Sequence, residues 1–340
     1  VSGGIVQAML QIGELPDPGQ AVLGTAGPAP VRPPCSVRRT STIDMTLPYG
    51  FGSQLRLDGT ARDAVTGNDA TRPPDVVAEA STSVGIGNAR TIEDITAEPT
   101  HPGLAALLGC RGGGHLRSAL DEALPRERQA GTPLYLLLDD VSGCSLIAGF
   151  MATRWPQTAT TQVDPSRFPN MEGVCIGFAP GSKALSEIPK QRVQQVVPLV
   201  NPDDPWGWHQ LTELPPVSMR RARRIDILRD DVNDLVVIDS AFQDSAGDPR
   251  LGRIAVHEYR LRATADLKTL TLRSLHPEPR VLPYRECPSA ANTAAAVVGV
   301  PLQDLRTVVL ERLAKTNGCT HLNDALRALA EIPVLLKHLG

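Results

Sequence analysis

The sequence predicts an α+β protein built from two pseudo-symmetric modules, an internal duplication with antiparallel sheets and packed helices. Three observations predict it. Short motifs of the first half recur in the same order in the second. In each half, period-two segments precede helical ones, the order expected when helices cover one side of an antiparallel sheet. An irregular stretch rich in Pro, Asp and Trp separates the halves.

Taken in chain order, residues 1–36 form an N-terminal arm. An apolar start, Val1–Leu10, runs into the Pro/Gly-rich stretch Glu14-Leu-Pro-Asp-Pro-Gly through Pro33-Pro34, which reads as an extended linker. The first module, 37–151, opens with a strand through Ile43-Asp44-Met45. A Pro48-Tyr49-Gly50 turn leads into Gln54–Asp58, and Asp58-Gly59 gives a hairpin signal. Further strands are expected at Asp75–Ser81 and Arg90–Ile95. Leu116, Ala119, Leu120 and Ala123 repeat with helical spacing over His115–Leu124. Pro133-Leu-Tyr-Leu-Leu-Leu138 reads as a buried strand closed by Asp139-Asp140. Residues 152–218 form the irregular connection, which could serve as a lid and holds Trp155, Trp206, Trp208 and His209.

The second module, 219–340, repeats the first. Arg221-Ala-Arg-Arg-Ile-Asp226 echoes Arg39-Thr-Ser-Thr-Ile-Asp44, and Asp239–Asp244 echoes Asp58–Asp63. Val256–Tyr259 echoes Val77–Ala80, Pro277 echoes Pro99, and Gly318-Cys-Thr-His-Leu322 with Ala325-Leu326 echoes Gly114-His115-Leu116 with Ala119-Leu120. Such a pair is expected to present one open sheet face to the other, with a site near their interface.

Composition narrows the function. The 340 residues are 41% hydrophobic and 21% charged, enough for a sizeable core. A net charge of −3 supplies no basic surplus for phosphates, so nucleic acid is not an expected partner. Apolar runs such as Leu134–Leu138 are far shorter than the roughly 20 residues of a membrane helix. Val1–Leu10 lack a basic n-region and a cleavage site, and the six cysteines form no C-x-x-C pair, so reduced thiols and a cytoplasmic setting are expected. Arg111-Gly112-Gly113-Gly114 lacks the lysine and spacing of a phosphate loop, and neither G-x-G-x-x-G after a strand nor G-x-S-x-G occurs. No organic cofactor and no metal are therefore expected; Cys287, Cys319 and His321, or His257 with Glu258, fit no closed zinc spacing.

Among chemical groups, His321 stands out. With Thr320 as N-cap and Asp324 in the first turn, Cys319 and His321 lie at a helix start, where exposed N–H groups would lower the thiol pKa. A general acid/base, or a thiolate beside an imidazole, is the functional reading; a hydrogen-bonded structural histidine is the other. Asp139 and Asp140 are either solvated turn residues or contain one desolvated acid of raised pKa. Arg39 and Asp44 recur as Arg221 and Asp226, and Asp63 recurs as Asp244. Structural ion pairs account for this, and Arg39 or Asp44 contacting a substrate is the alternative. Trp206 and Trp208 are candidate lid residues over that substrate.

Arg39-Thr-Ser-Thr-Ile-Asp-Met45, Gly59-Thr-Ala-Arg-Asp63, Leu136-Leu-Leu-Asp-Asp140, Glu286-Cys-Pro288 and Gly318-Cys-Thr-His-Leu-Asn-Asp324 resemble the bacterial family catalogued as domain of unknown function 2889, from about Val37 to Ile332. The resemblance brings no established reaction or cofactor. It implies an association with bacterial catabolism of hydrophobic small molecules. His115, behind its glycine run, is a poorer candidate than His321. Two functions follow as expectations. One is a cofactor-independent hydrolase, lyase or isomerase/hydratase acting on a hydrophobic carbonyl or alcohol, with His321 as acid/base and Cys319 or Asp140 as its partner. The other is a non-enzymatic small-molecule-binding or assembly protein. A homodimer is compatible with either.

Overall fold

Strands β1 (Ser36–Thr46), β2 (Leu55–Thr66), β3 (Asp75–Ile86), β4 (Ile92–Glu98), β5 (Gln194–Gln195), β6 (Ser218–Asp230), β7 (Leu235–Asp248), β8 (Gly252–Asp266) and β9 (Leu272–Val281) form one antiparallel sheet in the computed structural model. Residues 3–10, 23–87, 89–159, 170–185 and 192–339 are described. Strand order is β4-β3-β2-β1-β6-β7-β8, with β8 flanked by both β9 and the short β5. The halves therefore do not meet face to face. They join edge to edge where β1 pairs with β6 over eleven residues, from Ser36 opposite Leu228 to Thr46 opposite Ser218.

Both seam strands are buried on both faces, which explains sequences with no apolar alternation. Along β6, Arg221, Arg223, Ile225 and Ile227 face the helices, while Arg220, Ala222, Arg224 and Asp226 face the other side. Two reciprocal ion pairs cross the seam on that second side, Arg38 Nε to Asp226 Oδ1 and Arg220 Nε to Asp44 Oδ1, both 2.6 Å. The two pairs are related by one constant residue offset.

The helices are α1 (Gly3–Leu10), α2 (Gly114–Ala123), α3 (Pro125–Ala130), α4 (Pro133–Ile147), α5 (Phe150–Arg154), α6 (Pro156–Ala159), α7 (Ala290–Thr293), α8 (Leu305–Arg312), α9 (Thr320–Arg327) and α10 (Ile332–Leu335). The apolar run Leu134–Leu138, expected as a strand, is the start of α4. Thr132 caps it by accepting the Tyr135 N–H at 3.3 Å, and Pro133 occupies the first turn. A helix that is apolar all round and enclosed by protein gives no periodic signal, so a short apolar run cannot separate it from a buried strand. Each fully buried leucine of α4 contributes about 1.5–3 kcal/mol. The segment Pro133–Arg154 has the length and hydropathy of a membrane span, yet 78% of its apolar window is buried within the fold, as a core helix is.

The expected Asp58-Gly59 hairpin is also corrected. Gly59 lies mid-strand in β2, opposite Ile43 and Thr82. A Cβ there would lie 2.5 Å from Thr82 Oγ1 and 3.1 Å from Leu137 Cδ2. Glycine serves close packing beneath α4 at this point, and the chain reverses earlier, around residues 48–53.

On the opposite face, the arm and the irregular connection cover the sheet. Val6 and Met9 of α1 pack on Leu228 and Val237. Residues 11–22 of the expected linker lie outside the described residues. From Leu23 onward the arm is extended but docked: Gly24 N–H donates to Arg280 O at 2.8 Å, and buried Arg32 pairs with Asp204 at 3.0 Å. Trp208 packs there with Ala29 and Ala222.

Candidate functional site

Three elements converge beneath the helices. Asp244 lies on β7 directly opposite His257 on β8, and His321 occupies the first turn of α9. The pairing shifts by one residue next to Asp244, where Ala255 rather than Val256 faces Ser245, a bulge that re-aims the neighbouring side chains. His321 Nε2 is 3.5 Å from Asp244 Oδ2, and the His257 and His321 rings stack with centroids 3.4 Å apart. Their side chains and the Asp244 carboxylate put ligand-capable atoms within 4.8 Å of one another. His257 is buried, and its Nδ1 has no hydrogen-bond partner among the described residues.

His257 and His321, but not Asp244, line an apolar cavity of about 200 Å³. Leu146, Ile147, Phe150, Val174, Phe178 and Tyr284 supply apolar wall, and Cys175, Cys287 and Cys319 line the same space. An apolar cavity of about 150 Å³ can hold a benzene ring, so this one has room for an aromatic ring or a short aliphatic chain. Burial pulls the His257 imidazole well below its ordinary pKa, with His321 and Arg221 adding to the effect. Burial and then Arg221 do the same to His321. Both rings are thus neutral near pH 7, able to accept a proton or to ligate an ion.

The structure brings Cys319 to His321, with Sγ 3.9 Å from Nδ1. It reverses the expected thiolate, however. Cys319 itself is the N-cap of α9, without a side-chain capping bond, and burial, with Cys175 nearby, raises its pKa to about 12. The helix N-terminus does not offset that desolvation, so the proton stays on sulfur. Thr320 is the first helical residue and not the cap, and Asp324 does not complete the first turn. Asp324 pairs with Arg117 at 2.6 Å and Arg221 at 2.9 Å.

Asp139 and Asp140 lie within α4 and outside the cavity wall. Asp139 faces Arg306 at 2.7 Å, Arg327 at 2.9 Å and Arg117 at 3.4 Å. Burial alone would raise its pKa, but Arg327, Arg306 and Arg117 outweigh it and hold the carboxyl below the ordinary range. Asp139 is therefore not the acid of raised pKa that a desolvated strand end would give. Asp140 accepts from Arg223 at 2.5 Å and from Arg221 at 3.2 Å. Arg221 in turn grips both Asp244 oxygens, from Nε at 2.9 Å and Nη2 at 3.0 Å. Asp140 thus reaches His321 only through Arg221 and Asp244.

The other expected contacts lie elsewhere. Arg39 is buried between Asp63, at 2.6 Å, and Glu331, at 2.8 Å. Asp44 faces Arg220 across the seam. Trp208 is buried on the opposite sheet face, and Trp206 is 41% exposed, with its carbonyl accepting from Arg62. None of the four lines the cavity. His115 is exposed on α2. Residues 171–178 of the irregular connection do line the cavity, so part of that region covers the site without its tryptophans.

Sequence reasoning missed Asp244 and His257 as partners of His321. In the sequence Asp244 reads only as a repeat-related ion-pair residue, and no short spacing joins three residues on β7, β8 and α9.

All three lie in the segment from β6 to α10. Residues 219–335 match the family described as Protein of unknown function (DUF2889). No curated protein and no solved structure matches the chain. The matched segment supplies Asp244, His257, His321 and the cavity residues Pro283, Tyr284 and Cys287. Its match does not extend over residues 37–218, where the resemblance was also expected, and α4, α5 and residues 171–178 complete the pocket from outside it.

Proposed function

We propose that this protein is an enzyme that acts on a small hydrophobic molecule bearing a carbonyl or alcohol, by acid–base chemistry at the His257–His321 pair. Hydrolysis, elimination and isomerisation or hydration are the reaction types in keeping with it. The observation that carries the reading is one apolar cavity ending on two desolvated imidazoles backed by a buried carboxylate. An apolar wall holds the substrate body and excludes water, and the polar end meets the group to be transformed. Neutral His321 takes or returns a proton at the substrate, and Asp244, held by Arg221, orients its ring. Cys319, its proton retained, serves as wall and hydrogen-bond neighbour. The six free cysteines agree with action in a reducing compartment such as the cytoplasm.

The two halves also read as products of an internal duplication. The mirrored strand order about β1 and β6, and the reciprocal Arg38–Asp226 and Arg220–Asp44 pairs, support that origin, since a twofold-related contact repeats itself in this way. On this reading only the second half kept the imidazole site, for β3 carries Ala78 where β8 carries His257.

The test is a thermal-shift screen of the whole chain against hydrophobic esters, ketones, alcohols and acyl thioesters, with turnover assayed on each hit. A ligand at 100 times its Kd stabilises by about 2.7 kcal/mol, a visible rise in Tm. Turnover in the wild type that is lost in His321→Ala supports the enzyme. Binding without turnover in either protein would leave a binding protein instead.

A further inference from the structure

We propose that Asp244, His257 and His321 are the protein ligands of a divalent first-row transition-metal ion at the polar end of the apolar cavity. The inference rests on reading that cavity as the place of reaction but makes the two imidazoles ligands in place of free bases, and it departs from the sequence expectation of no metal.

Three independent features point to an ion. The first is convergence: one nitrogen from each imidazole and one carboxylate oxygen, from β7, β8 and α9, lie within 4.8 Å of one another. The second is the buried His257 Nδ1, which has no hydrogen-bond partner among the described residues although buried polar atoms nearly always find one. A metal ion would satisfy it. The third is an outer shell already in place. Arg221 holds the Asp244 carboxylate from two nitrogens and is itself held by Asp140 and Asp324, so the carboxylate keeps one orientation while lone pairs remain for an ion.

The donor set limits the ion. Two imidazoles and one carboxylate suit Zn²⁺, Fe²⁺, Co²⁺ or Ni²⁺, whereas Mg²⁺ and Ca²⁺ take oxygen ligands. Three protein ligands leave coordination positions over, as in catalytic zinc sites, where water or substrate completes the shell. An ion there would polarise a substrate carbonyl or lower the pKa of its bound water, supplying the electrophile that an apolar pocket lacks.

The experiment uses the whole chain stripped with a chelator, then titrated with Zn²⁺ by calorimetry and with Co²⁺ by absorption spectroscopy. The expected result is one ion per chain, Co²⁺ bands without the near-ultraviolet cobalt–thiolate transition, and affinity lowered by about 100-fold or more in His257→Ala. Cys319→Ser should bind as the wild type does. Should His257→Ala fold poorly by circular dichroism, His257→Gln replaces it. Failure of the stripped protein to bind either ion, a thiolate band, or unchanged affinity in both histidine variants would overturn the site. Turnover that persists in chelator-treated, metal-free protein would remove the metal and leave the acid–base enzyme intact. Stoichiometric binding at the histidines, with no turnover of any substrate tested, would retain the metal site and count against the enzyme.

Discussion

The imidazole of His321 lies parallel to that of His257, with planes 12° apart. Two rings carried by a helix and a strand reach this arrangement only if α9 docks with its first turn on β8. Both residues line the same cavity, so under the proposed function neither is expendable. His321→Ala and His257→Ala should each lower kcat/KM by about 10²–10⁴-fold, the usual range for losing a general acid or base, while far-ultraviolet circular dichroism stays unchanged. Cys319→Ser should stay within a few-fold of wild type. If Cys319→Ser were as inactive as His321→Ala, a nucleophilic thiol would have to replace the assignment made here.

Asp139 makes the opposite prediction. Its carboxylate faces Arg306, Arg327 and Arg117, and removing it leaves buried arginine charge without its counter-ion. Losing one partner of a buried ion pair costs about 3–5 kcal/mol. Asp139→Asn should therefore lower the urea midpoint strongly while the molecules that remain folded keep their turnover. A variant as stable as the wild type but inactive would return Asp139 to the chemistry.

These two contrasts show what could be read from the sequence. The motif around Cys319 and His321 marks a helix start, where α9 does begin, because small and polar residues there leave a local signal. The pairing of Arg39 with Asp63 and of Arg221 with Asp244 was foreshadowed by their recurrence in the two halves. The helical state of Leu134–Leu138 was illegible because burial on every side erases periodicity. Gly59 misled because Asp-Gly marks both a hairpin turn and, here, a strand position pressed against Leu137. Asp244 and His257 joined the site through strand pairing and a one-residue bulge, neither of which any short stretch of sequence records.

Gly143 tests the packing between α4 and the network that reaches Asp244. In most helix interiors Gly→Ala stabilises by about 0.5–1 kcal/mol. Here a Cβ would lie 2.5 Å from Arg221 Nη1 and 2.6 Å from Asp324 Oδ2. Those atoms belong to a buried ion pair and cannot swing into solvent. Gly143→Ala should therefore destabilise, by about 1–3 kcal/mol as overpacking does. It should also impair turnover by shifting Arg221 from Asp244. Chemical denaturation gives the sign, and a variant more stable than the wild type would mean that the α4–Arg221 contact is looser than described.

His209, far from the cavity on the opposite sheet face, predicts how stability depends on pH. Its ring nitrogens lie 2.8 Å from Thr40 Oγ1 and 2.9 Å from Thr42 Oγ1, and no carboxylate pairs with it among the described residues. Burial, helped by Arg62 and Arg220, lowers its pKa from 6.5 to about 4. The unfolded chain, with an ordinary histidine, therefore binds a proton between those values that the folded chain refuses. Stability is fully present above about pH 6.5 and falls as pH drops towards 4, after which this residue adds no further loss. At about 1.36 kcal/mol per unit, the contribution across the window is about 3 kcal/mol. His209→Gln cannot take up that proton, so its stability should fall less than that of the wild type between pH 7.5 and pH 4.5. Urea unfolding of both proteins at the two pH values measures the difference directly. Equal losses in the two proteins would assign the acid sensitivity to the carboxylates instead.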